Sequence, residues 1–484
     1  MADTQEAPSG WRGTWATLTR TSVGPVSEEV HLDRSLSTMA VLLLAVGSVI
    51  GTGIFVVLGV VVPLAGPAVV VAFVLAGIAC LLSGLSYAEL ASALPSSGSV
   101  YSYAYASVGE LIAWVVGWCL ILEYGVGVAA VSVGWSEYLS AGLSDAFGLN
   151  IPDEFLRGPM QGGMFNLPAA LLVLAVAFVV SAGAKESARI NAALVVLKLL
   201  LIGFFLVVAF SGFDSANMTP FLPLGIAGVI AASGKLIFAY AGFDAAAVAG
   251  AEAKNPRKAV PVAIVGALTV ITIIYTLVGL AAVGARPWQE FAGQQGEAVL
   301  AQIAQDVTGQ TWPGEVIAVG AIVAITSVVI AVLYTLSRII YTMSRDGLLP
   351  KRLGKLSPRT QTPVFTTWLL AIGLALLAAL VPLNELAAAI SLGTLVAFAV
   401  VNVAVLVLRR QQPDLERPFR VPLGPVIPVV AIIINIVLIL GMPGATWIAF
   451  TVWLIAGLLI YFLYSRHRSE ARYSSLDQTS GPPA

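Results

Sequence analysis

Apolar runs of about twenty residues recur along almost the whole chain, and they fix the medium in which it folds. They lie at 38–60, 68–94, 109–140, 166–183, 190–211 and 227–250, and again at 259–284, 314–341, 363–381, 384–408, 422–441 and 445–465. At about 1.5 Å of rise per residue, a helix of that length crosses a hydrocarbon layer roughly 30 Å thick. Hydrocarbon offers no partner to a backbone N–H or C=O, so each run must satisfy those groups internally, as a helix does. The pattern predicts an all-α integral membrane protein with 12 transmembrane helices. Pro63, Pro67, Pro95, Pro256, Pro261, Pro350 and Pro363 punctuate the joints as helix breakers. Only 11% of the 484 residues are charged, where soluble domains average about 25%.

Positive charge orients the chain. Of 25 Lys and Arg residues, 21 fall on segments that an inside N-terminus leaves in the cytoplasm, Arg338 at the cytoplasmic end of its run among them, 2 (Arg157 and Arg286) fall outside and 2 (Lys198 and Lys235) lie deeper within spans. That bias predicts two cytoplasmic termini and supports an even helix count. It frames a membrane domain at 35–465 between cytoplasmic tails at 1–34 and 466–484. Residues 1–34 are polar and the first apolar run is too long for a signal h-region, so no cleavable leader is expected. The loops at 141–165 and 285–313 have room for short lid helices, and 287–307 carries apolar and acidic residues at rough helical spacing. A net charge of −1 without any basic run argues against a nucleic-acid partner. Cys80 and Cys119 sit inside apolar runs and read as buried free thiols, not as a disulfide or metal site. His31 and His467 lie outside the spans, so no metal cluster is visible at depth and no cofactor is expected.

Two runs are interrupted. Val46-Gly-Ser-Val-Ile-Gly-Thr-Gly-Ile-Phe55 and Lys235-Leu-Ile-Phe-Ala-Tyr-Ala-Gly-Phe-Asp244 place glycine and polar residues at mid-span. Irregular backbone survives there only where protein encloses it, and a pair of broken helices points to the binding site of an inverted-repeat transporter. Gly47 and Gly51 also have the small-xxx-small spacing of close helix packing. Thr52-Gly53 and the matching Ala241-Gly242 favour the interruption. A broken helix presents N–H groups to an anion and carbonyls to a cation, which together suit the head group of an amino acid.

Ionisable groups inside the spans need a reason, since each costs roughly 2.5–3.5 kcal/mol on insertion scales. Lys198 and Glu123 both fall near mid-membrane. Lys198 reads either as a titratable group beside the substrate or as an ammonium capping helix carbonyls. Glu123 reads as a pocket acid or as a hydrogen-bonded strut. Lys235, in the outer half of its span, is placed to reach an external vestibule. Asp244 follows the second interruption and is positioned to hold its backbone in shape, while Glu89 and Glu252 sit at cytoplasmic helix ends with gating or anchoring roles.

Several longer motifs resemble the amino acid–polyamine–organocation superfamily, and within it the cationic amino acid transporter branch. They are Val49-Ile-Gly-Thr-Gly-Ile-Phe55, Ser86-Tyr-Ala-Glu-Leu90, the stretch from Pro95 to Tyr105, the stretch from Gly109 to Tyr124, Phe238 to Asp244, Asn255-Pro256, and Met343 to Pro350. The resemblance covers about 34–465 and implies a five-plus-five inverted repeat. Repeat one would span 38–211 and repeat two 227–408, with helices one and six interrupted and two further helices at 422–465. It implies that Ile50 and the N–H groups of Gly51, Thr52 and Gly53 border the substrate carboxylate. Carbonyls of Val49, Phe238, Ala239 and Ala241 would hold its amine, with Phe243 as gate or wall and Glu123 near the pocket. Lys198 would take the place of a coupling ion, with Thr326 and Ser327 as its partners on the eighth helix. Departures exist: paired acids are replaced by Ala251-Glu252-Ala253-Lys254, and Lys235 stands where an aliphatic residue is expected.

These readings together predict a plasma-membrane secondary transporter of L-amino acids, coupled to protons and working by alternating access. A proton-independent exchanger of cationic amino acids or polyamines is the nearest rival. An amino-acid sensor would need a longer signalling tail, and an enzyme would need an activated nucleophile or metal at depth. Gly234-Lys235 is no phosphate loop, because Leu236 replaces its Ser or Thr.

Overall fold

A computed structural model describes residues 36–468 except 52, 95–99, 184–187, 245, 248–252, 292–297 and 361. The 1–34 tail, nearly all of 466–484, Thr52 and Glu252 therefore lie outside the described residues. Among the described residues the chain is helical, and its only β contact is a single bridge between Leu36 and Ala253. Seven stretches are long and apolar enough to cross a membrane, and five shorter apolar helices accompany them.

Ser37 starts α1 (Thr38–Val49) by accepting the Ala40 N–H at 3.2 Å, a side-chain N-cap. After the first interruption, α2 (Leu58–Ala65) leads to α3 (Val69–Ala93) through a turn at Gly66, whose φ of 62° disfavours a side chain. Next come α4 (Val100–Ser107), α5 (Glu110–Phe147), α6 (Leu167–Ser181), α7 (Ala188–Ser211) and α8 (Gly225–Tyr240). The second half has α9 (Pro256–Ala285), α10 (Val299–Thr308), α11 (Trp312–Arg345), α12 (Val364–Leu380), α13 (Leu383–Gln411), α14 (Val426–Leu440) and α15 (Gly444–Ile460). A π-helical turn, Tyr461–Ser465, extends α15.

Both interrupted runs end early as helices. The first stops at Val49, and the second stops at Tyr240 with Ala241 extended. The 285–313 loop holds a 3-10 turn at Trp288–Phe291 and the amphipathic helix α10, whose Val299, Leu300, Ala301, Ile303 and Ala304 are buried. In the 141–165 stretch α5 continues to Phe147, and the remainder forms two short 3-10 turns.

Two groups of helices carry the most extensive packing. In one, α9 lies against α1 and α3, and α8 lies against α2 and α3; in the other, α5 and α6 lie against α11 and α12. Lipid supplies no hydrophobic drive between helices, so close approach and polar contacts must hold them. Gly457 permits the approach of α15 to α5, since a methyl there would lie 2.5 Å from Trp118. Trp118 stacks on Trp453 with ring centroids 4.5 Å apart, and Trp114 and Trp118 donate to the carbonyls of Gly457 and Trp453 at 2.9 and 2.8 Å. α7 touches both groups, and α13 packs on α3, α5 and α8. The two broken helices meet inside this frame.

Candidate functional site

The interruptions cross antiparallel and touch backbone to backbone. A methyl built on Gly53 would lie 2.2 Å from Ala239 Cα, and one on Gly242 would lie 3.0 Å from the Ser48 carbonyl oxygen. Gly51 and Gly242 hold φ of 118° and 108°, which L side chains rarely adopt, so glycine is needed for conformation as well as for contact. Ile50 N–H returns to the Val46 carbonyl at 2.9 Å, and the Gly53 carbonyl accepts from Val56 and Val57. Among the described residues nothing accepts from the N–H groups of Gly51 or Gly53, and nothing donates to the carbonyls of Ala239, Tyr240 or Ala241. Gly51, Gly53, Ala239 and Tyr240 are buried. Buried backbone groups are nearly always paired, so this juxtaposition of spare donors and spare acceptors has the chemistry to receive a group of each charge.

Other helices fix the remaining ends. Lys198 of α7 is 2% exposed and donates from Nζ to the Gly47 carbonyl at 3.0 Å. That is a side-chain cap on the C-terminus of α1, where the helix dipole favours a cation. Tyr275 of α9 donates to the Val49 carbonyl at 3.0 Å, and Tyr138 of α5 to the Phe55 carbonyl at 2.7 Å. A methyl on Gly51 would meet Val328 at 3.0 Å and both the Ala324 carbonyl and Lys198 Nζ at 3.6 Å, so α7 and α11 converge on this glycine. Thr326 and Ser327 lie on that part of α11, but their hydroxyls donate to the Ile322 and Ala324 carbonyls of their own helix.

On α8, Phe238 N–H donates to Ser391 Oγ and Ser391 donates to the Lys235 carbonyl, both at 3.0 Å, so α13 enters the helix ladder one turn before the break. The Phe238 carbonyl accepts Ala241 N–H at 3.3 Å. Beyond the break, Asp244 accepts a hydrogen bond from Tyr124 of α5. Glu123, the neighbour of Tyr124 in sequence, has Asp244 and Thr394 as its polar neighbours and is 7% exposed. Phe243 packs edge-on to Tyr87 at 5.4 Å and against Phe398 at 5.5 Å, with Tyr103 beyond Tyr87, so an aromatic cluster closes one side of the break.

Two charged sites lie further out. Lys235 donates to Asn384 Oδ1 of α13 at 2.5 Å and is only 5% exposed, so its ammonium ends on a neighbouring helix and not in open solvent. Glu89 of α3 receives Arg409 at 2.8 and 2.5 Å and the Val421 N–H at 2.7 Å, with Arg417 at 3.6 Å. Arg417 also donates to the Leu408, Gln412 and Leu415 carbonyls, closing the C-terminal turn of α13. Burial lowers the Arg417 guanidinium from its usual pKa, against the pull of Glu89. Cys80 and Cys119 are free and buried.

Sequence reasoning passed over the tyrosine caps Tyr138 and Tyr275, since a tyrosine in an apolar run reads as ordinary core. It also missed a buried polar cluster between α3, α13 and α14. Ser86 donates to Asn402 at 2.7 Å, and Ser83 accepts from Asn402 at 3.1 Å and from Asn435 at 3.3 Å. Asn402 and Asn435 at mid-span were a usable signal, because an amide in hydrocarbon needs partners.

A family model described as amino acid permease matches residues 36–462. The chain is 44% identical to the branched-chain amino acid permease BcaP of Bacillus subtilis, with 93% of this chain and 96% of the relative covered. It is 43% identical to the methylthioribose transporter of the same organism, over 92% of this chain and 96% of that one. Cationic amino acid transporter 4 of Mus musculus is 36% identical over 80% of this chain and 61% of its own length.

Proposed function

The chain belongs to the amino acid permease family, within the amino acid–polyamine–organocation superfamily, and from that premise we propose that it is a secondary active transporter of L-amino acids. One observation carries the reading: spare N–H groups at Gly51 and Gly53 lie against spare carbonyls at Ala239, Tyr240 and Ala241. The α-carboxylate takes the donors and the α-ammonium takes the acceptors, with Thr52 completing the donor loop. Phe243 walls the pocket beyond the break, with Glu123 and Asp244 behind it. Neutral sugars have no charged pair to match this arrangement, which favours an amino acid over a solute such as methylthioribose.

Seven long and five shorter apolar helices, each given one traverse, support a reading of twelve crossings arranged as five plus five with two more at the end. The Lys and Arg distribution supports two cytoplasmic termini, and the kinship to bacterial permeases supports the cell membrane. Alternating access rocks the α1, α3, α8 and α9 group against the α5, α6, α11 and α12 group around the breaks. Lys198 is the proton-coupling residue: its ammonium grips the Gly47 carbonyl, and loss of the proton loosens α7 from α1. Thr326 and Ser327 would have to turn from their own helix to join it.

Uptake of labelled alanine and arginine into proteoliposomes, under an inward proton gradient with and without protonophore, tests this. Alanine accumulation that the protonophore abolishes is the expected result. Arginine flux that ignores the gradient and requires internal substrate would replace the proposal with the exchanger reading. Absence of flux for both, alongside saturable binding, would replace it with a sensor.

A further inference from the structure

The cationic relatives and the branched-chain relatives match the same chain, so the breaks alone do not choose between charged and uncharged side chains. The residue that does lies one and a half turns away. Lys235 precedes the end of α8 by five residues, about 7.5 Å of helix rise on the outer side of the break. Its hydrogen-bond partner, Asn384, is the second residue of α13 and is a neutral amide. No carboxylate lies within ion-pairing distance of the ammonium among the described residues. The nearest acid, Glu385, instead accepts from Asn384 Nδ2 at 3.3 Å. The ammonium thus keeps most of its field, fixed in place by two contacts. Asn384 holds its head, and Ser391 holds its own carbonyl while also binding the Phe238 N–H of the break.

We propose that Lys235, positioned by Asn384, is a charge filter that makes this permease select amino acids with uncharged side chains over arginine and lysine. The proposal rests on the amino acid permease reading and on the orientation that puts the start of α13 outside. A substrate bound between the breaks has its α-ammonium neutralised by carbonyls, but a second ammonium or guanidinium reaching the outer side comes toward Lys235, whose neighbouring carboxylate, Glu385, is already engaged by Asn384. There it approaches a like charge buried between α8 and α13, where field lines are poorly screened. Discrimination then comes from repulsion of the wrong substrate, not from extra contacts to the right one. Glu385 weakens the field without cancelling it, because its carboxylate is turned to the amide.

The test is competition: labelled leucine uptake by the full-length protein in proteoliposomes, inhibited by unlabelled leucine or arginine. In the unmodified protein arginine should need at least about tenfold more than leucine for half inhibition. K235M should cut that ratio about tenfold, and N384D should do the same by pairing the ammonium without removing it. K235R, which keeps the charge, should preserve the ratio. Where a variant does not transport, stabilisation of the detergent-solubilised protein against heat by leucine and by arginine supplies the same ratio. Arginine inhibiting the unmodified protein as well as leucine does would overturn the filter, as would ratios in K235M and N384D within twofold of the unmodified value. If the unmodified protein neither takes up nor binds either amino acid, the permease reading itself fails, and the filter with it.

Discussion

Gly53→Ala tests the central geometric claim most directly. The added methyl would lie 2.2 Å from Ala239 Cα, 2.3 Å from Ala239 Cβ and 3.2 Å from Ala239 N. Ordinary carbon contacts begin near 3.5 Å, so the two breaks would have to part by about 1.3 Å. The obstacle is largely backbone, so no rotamer change relieves it. Overpacking of this kind costs about 1–3 kcal/mol. Charged against the substrate-bound state alone, that is a loss of roughly 5- to 150-fold in apparent affinity. Gly127→Ala is the matched control, a glycine of α5 with nothing within 4 Å of the added methyl. Uptake per unit of monodisperse protein, with the melting temperature in detergent, separates lost function from lost folding. The expected result is strongly reduced uptake for Gly53→Ala and near-unchanged uptake for the control. Removing the Ala239 methyl as well should restore only part of it, because the clash with Cα remains. Wild-type uptake and stability in Gly53→Ala would refute the claim that the breaks meet backbone to backbone, and with it the cradle.

Lys198→Met should abolish the response of uptake to a pH gradient while leaving the protein folded; retained gradient dependence would remove Lys198 from the coupling scheme. Glu89→Gln leaves Arg409 and Arg417 without their carboxylate, and breaking such a pair should cost about 3–5 kcal/mol, read as a clear drop in melting temperature. An unchanged melting temperature would mean the cluster is solvated in the working protein. Tyr275→Phe removes the hydroxyl that caps the Val49 carbonyl and should cost about 1 kcal/mol of stability; thermal denaturation of matched samples checks it. Cys80 and Cys119 are buried, so maleimide labelling should require detergent denaturation, and rapid labelling of the native protein would contradict their placement.

Much of the fold was legible because hydrocarbon is an intolerant solvent. The apolar runs fixed helix positions to within a few residues for α3, α6, α9, α12 and α13, where nothing competes with continuous helix. At Val46–Phe55 and Lys235–Asp244 the same reasoning found the interruptions, since Thr52-Gly53 and Ala241-Gly242 add to what helix packing alone would ask of glycine. Partners were harder to read. That Gly53 faces Ala239, or that Tyr138 reaches the Phe55 carbonyl across 83 residues, depends on how helices distant in sequence cross, and one-dimensional periodicity carries no crossing angle. Charged residues showed the same split. The depth of Lys198 was legible but its acceptor was not. Glu89 was read as a gating or anchoring acid at a helix end, yet its partners, Arg409 and Arg417, come from the far end of the chain.

Under the proposed function, the C-terminus of α1 would link proton and substrate in one device. Its last carbonyls are divided between elements: Val46 takes the Ile50 N–H, Gly47 takes Lys198, and Val49 takes Tyr275. Only one of these bonds carries a titratable charge. Four residues beyond Gly47, the N–H of Gly51 is the donor proposed for the substrate, and a methyl there would sit 3.6 Å from Lys198 Nζ. A proton on Lys198 and a carboxylate on Gly51 and Gly53 therefore act on adjacent turns of the same short segment, with opposite charges. Each favours the conformation in which α1 is held between α7 and α8, so by linkage each must raise the affinity for the other. A charge-preserving arginine at 198 would keep the grip but could not release it, since a guanidinium does not lose its proton in this range. Such a variant should bind substrate and fail to accumulate it against a gradient. If it accumulated substrate normally, the proton would have to be carried elsewhere.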